Sequence, residues 1–210
     1  MKRNATAIVG AAESTNMGKL PNMSQIQIHA DSALNALADC GLTINDIDGV
    51  ATAGHNAVEL AHYMGITPTW VDGTSVGGCS FMLHVRHAAA AIEAGLCTTA
   101  LITHGESGRH WIGRHGSPIF PSLFQMQFEQ PYGVSRPPTM FTIPVMRYMA
   151  DYGLTEEQLA SVAVVQREWA GFHPRASFRD PITVDDVLGS KMICYPFRLL
   201  MCCLVTDGGG

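Results

Sequence analysis

Apolar and polar positions along the 210-residue chain change period several times, and the changes mark off short strand-like and longer helix-like stretches. Residues Ala5 to Ala11 form an apolar run expected as a first strand. From Ser24 to Cys40, Ile28, Leu34, Leu37 and Ala38 recur at helical spacing, which predicts an amphipathic helix with Ser24 as its N-cap and Gly41 as its stop. Ile47 to Ala53 read as a second strand, Ala57 to Met64 as a short helix and Thr67 to Val71 as a third strand. A glycine-rich turn follows, with Gly73, Gly77 and Gly78 free of the Cβ that would obstruct tight geometry. Phe81 to Ala94 then carry an apolar helical face closed by Gly95. Leu96 to Thr103 form a nearly continuous apolar run, the pattern of a strand covered on both faces. This alternation predicts a layered α/β domain with a mainly parallel sheet.

The texture changes after Ser107. Gly116 to Pro138 hold five prolines and four phenylalanines or tyrosines with little periodicity. Helical spacing returns at Ile143 to Tyr152 and at Glu156 to Phe172, where Thr155 followed by Glu156 and Glu157 makes a good helix start. Asp185 to Ser190 read as a last short helix. The expected organisation is an α/β core over 1–107, an inserted loop or lid over 108–198, and a returning strand in 199–210 that runs into Thr206-Asp207-Gly208-Gly209-Gly210. An insertion of this kind is expected over the C-terminal edge of the sheet, where open α/β folds gather ligands.

Thirteen basic against eighteen acidic residues give a net charge of −5 with no basic run, so nucleic acid is not an expected partner. No stretch reaches the roughly eighteen apolar residues of a membrane span, and Gly10, Glu13 and Asn16 interrupt the run that a secretory signal would need. A cytoplasmic location is expected. Six cysteines, at 40, 79, 97, 194, 202 and 203, lack CxxC spacing and are expected as reduced, buried thiols.

The AIEAG of Ala91 to Gly95, the ALITHGES of Ala100 to Ser107, the Arg147 to Leu188 stretch and the closing LLMCCLVTDGGG of Leu199 to Gly210 resemble the thiolase superfamily, most of all its sterol-carrier-protein and lipid-transfer branch. The resemblance runs along essentially the whole chain, but chains of that family are about twice as long, so it is to their N-terminal half with its loop region. It implies a thiolase-like α/β fold with an inserted loop subdomain that helps bind coenzyme A. It also implies that the polypeptide continues past a DGxG turn into a further strand and a second domain of the same fold, so a truncated product or a partial chain is expected. The implied activity is acyl transfer on acyl-coenzyme A thioesters, with carbon–carbon bond formation or cleavage and coenzyme A as part of the substrate rather than a cofactor. The implied assembly is a homodimer built around Thr67 to Val71.

Cys79 is the candidate nucleophile: a thiolate at a helix start can attack a thioester carbonyl and form an acyl-enzyme. Gly77, Gly78 and Ser80 shape its turn, and His104 and Glu106, just past the expected strand end at Thr103, are candidates to touch substrate. Gly78 rather than Cys79 falls where the resemblance places a nucleophile, and Cys79 is followed by Ser80, Phe81 and Met82 rather than a CxSG pattern. The alternative is therefore the cysteine-independent branch, whose members resemble retro-aldolases of steroid side-chain coenzyme A thioesters working with an OB-fold partner subunit. A third reading is a non-catalytic half that binds lipid or coenzyme A or serves assembly. His110 and His115 join the histidines after Thr103, while His84 and His87 stand three apart without a third ligand, so no metal is expected. Arg109, Arg114, Arg136, Arg175, Arg179 and Arg198 are candidates for phosphate contacts. Trp111, Phe120, Phe124, Phe128, Tyr132 and Phe141 are candidates for an acyl tunnel or for a small loop core.

Overall fold

The computed structural model describes residues 5–113, 123–134 and 137–210. By backbone contacts the chain divides into two units, Met1–Pro118 with Val205–Gly210, and Ile119–Leu204. The regular elements in chain order are α1 (Gln25–Cys40), β1 (Gly49–Thr52), α2 (Ala57–Met64), β2 (Trp70–Asp72), α3 (Ser80–Glu93), β3 (Ala100–Thr103), β4 (Gly105–Ser107), α4 (Leu123–Phe128), α5 (Pro137–Tyr152), α6 (Glu156–Phe172), α7 (Val184–Gly189), β5 (Met192–Cys194), β6 (Phe197–Arg198) and β7 (Asp207–Gly209).

In the first unit β1 is the centre of a three-stranded parallel sheet in the order β2-β1-β3. All four β1 residues are buried, as a central strand covered on both faces must be. One core of Ala33, Leu37, Ile47, Val50, Leu60, Ala61, Met64, Ile66 and Leu101 joins α1 and α2 to the sheet. Gln27 Oε1 accepts the Ser24 N–H at 2.8 Å to start α1, and Gly41, at φ 72°, ends it. β4 pairs antiparallel with β7, Gly105 opposite Gly209.

Several boundaries differ from the pattern reading. Ala5 to Ala11 join no ladder among the described residues, and Ile8 and Val9 are 77% and 62% exposed. This segment lies instead along α1, where Ala11 N–H donates to Asp39 at 3.1 Å. The third strand is Trp70–Asp72 rather than Thr67 to Val71. The fourth begins at Ala100, because the Asp48 carboxylate takes the Thr98 and Thr99 N–H groups at 2.8 Å and holds the preceding residues in a turn. The buried face of α1 is Gln25, Ile28, His29, Ser32, Ala33 and Leu37, with Leu34 and Ala38 turned outward. Its first half packs on a glycine-bearing ribbon whose backbone demands polar partners, which a purely apolar periodicity does not anticipate. Leu199 to Val205 form one 3-10 turn and irregular backbone; the returning strand is the glycine-rich β7.

In the second unit α5 starts at Pro137, earlier than Ile143, since prolines fit a helix's first turn, and it tolerates Pro144 inside. Thr155 caps α6 by accepting the Gln158 N–H at 3.2 Å. Among the described residues no helix is long and apolar enough to cross a membrane.

Candidate functional site

The loop from β2 to α3 is built by its own short side chains. Asp72 Oδ1 accepts the Thr74 N–H at 2.8 Å and its hydroxyl at 2.6 Å, while Asp72 Oδ2 meets His87 Nδ1 at 2.7 Å. Partial burial would raise the Asp72 pKa, but Thr74, His87 and the nearby His84 outweigh it and hold it at about 2. The turn closes through Ser80, whose buried hydroxyl donates to Gly77 O at 2.6 Å and accepts from Val76 N–H at 2.9 Å. Gly77 sits at φ 87°, where a side chain is strained. Cys79 is the N-cap of α3 and is exposed; its thiol donates to Val76 O at 3.7 Å. The six cysteines are free, but only Cys97 is buried, and Cys203 is exposed like Cys79, which corrects the expectation of buried thiols.

Beside this turn the C-terminal ends of β1 and β3 carry a histidine cluster. His104 follows β3, and its ring lies 4.7 Å, centroid to centroid, from Phe81 in the first turn of α3. His29 of α1 is fully buried, 6.1 Å from the His104 ring and 5.7 Å from that of His55 in the loop after β1. His29 Nδ1 meets Thr103 Oγ1 at 2.9 Å, and Thr52 Oγ1 donates to Thr103 O at 2.9 Å. Gln25 Nε2 donates to Gly105 O at 2.9 Å, fastening α1 to the backbone just past His104. Burial first, and then His104 and His55, push the His29 pKa down to about 3; burial also lowers that of His104. Near neutral pH these two rings are uncharged, so they can donate or accept single hydrogen bonds but supply no fixed cation. Glu106 lies partly buried in β4.

Of the residues singled out from the sequence, Gly77, Gly78, Cys79 and Ser80 share one turn, and Phe81 links that turn to His104. His84 Nε2 meets Thr74 O at 2.9 Å and His87 meets Asp72, so both brace the loop. Among the described residues no group of three His, Cys, Asp or Glu side chains is placed to hold a metal ion. Arg109 contributes its backbone N–H to Asp207. In the second unit Arg179 donates to Gly171 O at 2.9 Å, and Arg198 faces Glu156 at 3.5 Å. Trp111, Phe124, Phe128, Tyr132 and Phe141 are exposed, with Phe124 and Phe128 in ring contact at 5.1 Å. Arg114, His115, Phe120 and Arg136 lie outside the described residues.

The pattern reading passed over His29, His55 and Gln25. His29 stands one position from Ile28 on the buried face of α1, and a polar residue on an otherwise apolar helix face is the signal that could have found it. Also missed was the pairing of His110 with Asp207, a contact between residues far apart in sequence.

No family model matches the sequence. The chain is 30% identical over 221 residues to a 17-hydroxy-3-oxo-4-pregnene-20-carboxyl-CoA lyase of Mycobacterium tuberculosis, covering 99% of this chain and 56% of the relative. It is 31% identical over 216 residues to a steroid side-chain-cleaving aldolase of Thermomonospora curvata, covering 98% and 55%, and 28% identical over 212 residues to an acetyl-CoA acetyltransferase of Methanothermobacter thermautotrophicus, covering 96% and 54%. The chain thus spans about half the length of the curated relatives it matches. Among solved structures, the Ltp2-ChsH2(DUF35) aldolase superposes with a TM-score of 0.83 at 28% identity, covering 97% of this chain and 53% of that one. A monomeric SCP2-thiolase-like protein of Mycobacterium smegmatis shares the fold with a TM-score of 0.72 at 21% identity, covering 96% and 44%. Over nearly its full length the chain is thus similar in sequence to these coenzyme A enzymes, of which it spans about half, and it shares the α/β fold of thiolase-like proteins.

Proposed function

We propose that this chain forms the sheet-bearing part of an enzyme that acts on acyl-coenzyme A thioesters, making or breaking a carbon–carbon bond next to the thioester. The observation that carries the reading is the superposition of almost the whole chain on an aldolase of the superfamily at a TM-score of 0.83. The α3 start, His104 and His55 gather at the C-terminal edge of the parallel sheet, the position where open α/β sheets hold ligands. In the acyl-transfer form of this reading the Cys79 thiolate attacks the thioester carbonyl, the carbon–sulfur bond to coenzyme A breaks, and the acyl group rests on Cys79. Gly77, Gly78 and Ser80 hold the turn in shape, His104 and Glu106 face the acyl end, and coenzyme A enters as part of the substrate.

A second form is favoured by the sequence of the turn, where Gly78 rather than Cys79 falls at the position to which the resemblance gives a nucleophile. In that form the chemistry is a retro-aldol cleavage without a covalent intermediate, in line with the relatives named as lyase and aldolase. An OB-fold partner subunit is then the expected companion; the neighbouring aldolase is itself a two-protein assembly by name. In either form a homodimer across the open edge of β2 is the expected assembly.

The test is intact-mass analysis and calorimetry with acyl-coenzyme A on the wild-type chain and on Cys79→Ala. An acyl adduct lost in Cys79→Ala supports acyl transfer. Binding without an adduct, equal in both proteins, supports the retro-aldol form, and absence of binding in both sinks the proposal.

A further inference from the structure

We propose that His29, His55 and His104 form an acid-operated latch, which holds α1 against the loops after β1 and β3 and releases it when a proton enters the cluster. The three rings come from three separate segments, so the cluster exists only while α1 is docked. Gln25 adds a polar clasp beside it, reaching Gly105 O at 2.9 Å at the start of β4 and Gly54 O at 3.4 Å in the loop after β1.

The neutral cluster has little room to accept charge. His29 Nδ1 is committed to Thr103, while His29 Nε2 and His104 Nδ1 are buried without a hydrogen-bond partner. Protonating His29 would leave a buried N–H with no acceptor and place a cation beside two other imidazoles, and both effects oppose the charged form. His29 also has no slack, because its ring and backbone lie against Gly105 with no space for even a methyl group between them.

The charged and titratable groups on the packing elements are few. Glu59 of α2 lies 3.7 Å from His55 Nε2 and is half exposed, which puts a carboxylate on the His55 side of the cluster. Glu106 of β4 stands two residues beyond His104, and His84 of α3 lies behind Phe81, ring to ring 5.8 Å. A proton on His29 or His104 after one on His55 sets imidazolium against imidazolium, and separating α1 from the loops relieves it. Released loops would disorder the C-terminal edge of the sheet. The link to substrate rests on the thioester reading, whereas the latch rests on the cluster's geometry alone.

Trp111 offers a local reporter: its N–H donates to Ser107 O, and the carbonyl of the next residue, Ile112, accepts the Gln25 N–H at 2.9 Å. In the full chain carrying Trp70→Phe and Trp169→Phe, Trp111 emission and far-UV circular dichroism are followed from about pH 8 to about pH 4 without any thioester. The expected result is a Trp111 transition completed at higher pH than the loss of helical signal, with its midpoint lowered by at least about half a pH unit in His29→Gln. Coincident transitions, or a midpoint unmoved by His29→Gln, overturn the latch. Histidine ring NMR on the wild-type chain gives a check that needs no His29 variant: rings that fail to titrate where Trp111 responds also overturn it. Neither failure touches the thioester reading, which stands on binding and acylation.

Discussion

Gly105 and Gly209 lie opposite each other across the β4–β7 ladder, and each turns its bare Cα toward a neighbour that leaves no room for a side chain. A Cβ on Gly105 would lie 2.5 Å from His29 Cδ2 and 2.6 Å from the His29 backbone nitrogen; one on Gly209 would lie 2.3 Å from His104 O and 2.7 Å from Ser32 Oγ. The glycine pair therefore sets how closely α1 approaches the ribbon, and with it the position of His29.

Gly105→Ala and Gly209→Ala are expected to destabilise the fold by about 3 kcal/mol each, at the upper end of overpacking costs, because backbone atoms must move. Gly77→Ala meets open space and should cost only about 1 to 2 kcal/mol from its positive φ. Urea unfolding of the three variants checks the order, and a Gly77→Ala cost equal to that of Gly105→Ala would refute the packing argument.

Asp207 is a buried carboxylate that ties three segments together. It accepts the Leu20, Arg109 and His110 N–H groups at 2.8, 2.8 and 3.2 Å and pairs with His110 Nδ1. Burial alone would raise its pKa, but His110 and the three amides outweigh this and hold it below 3.8. The depressed folded value means that its stabilisation is complete above the unfolded pKa and is lost as pH falls through and below 3.8. Asp207→Asn is expected to cost about 3 kcal/mol at neutral pH, and its unfolding free energy should depend less on pH below 4 than that of the wild type.

Asp48 should matter to the sheet although it lies outside it. Its carboxylate takes the Thr98 and Thr99 amides and the Thr98 hydroxyl, all at 2.8 Å, and so fixes where β3 begins beside β1. Asp48→Ala is expected to cost about 2 kcal/mol, visible as faster hydrogen exchange of the Ala100 to Thr103 amides, whereas the second unit's exchange should not change.

The proposed dimer makes a direct demand on the edge of β2. That edge borders an open groove of about 440 Å³ lined by Trp70, Val71, Asp72, His87, Ala90, Ala91 and Leu96. A lysine there opposes edge-to-edge pairing, so Val71→Lys is expected to yield monomers by sedimentation while retaining the wild-type circular dichroism. A wild-type chain that is monomeric at the same concentration would remove this interface.

Local pattern alone determined much of this protein. The alternation of apolar runs with Gly41 and Gly95, each ending a helix at positive φ, was enough to read a parallel α/β layer, because caps and periodicities act over a few residues. The same holds for the turn that presents Cys79, since Ser80 and Gly77 close it within one short segment. What tertiary structure decided are the contacts between residues distant in sequence. Ala5 to Ala11 have a strand's composition but no ladder among the described residues, since a strand is defined by the neighbour it pairs with rather than by its own side chains. His29, His55 and His104 carry no shared motif, and only the docking of α1 on Gly105 and Gly209 brings their rings together. Asp207 likewise looks like one acid in a glycine-rich tail until the fold surrounds it with donors from two remote segments. Burial and long-range pairing belong to the whole fold, and so the chemistry of the candidate site was decided there.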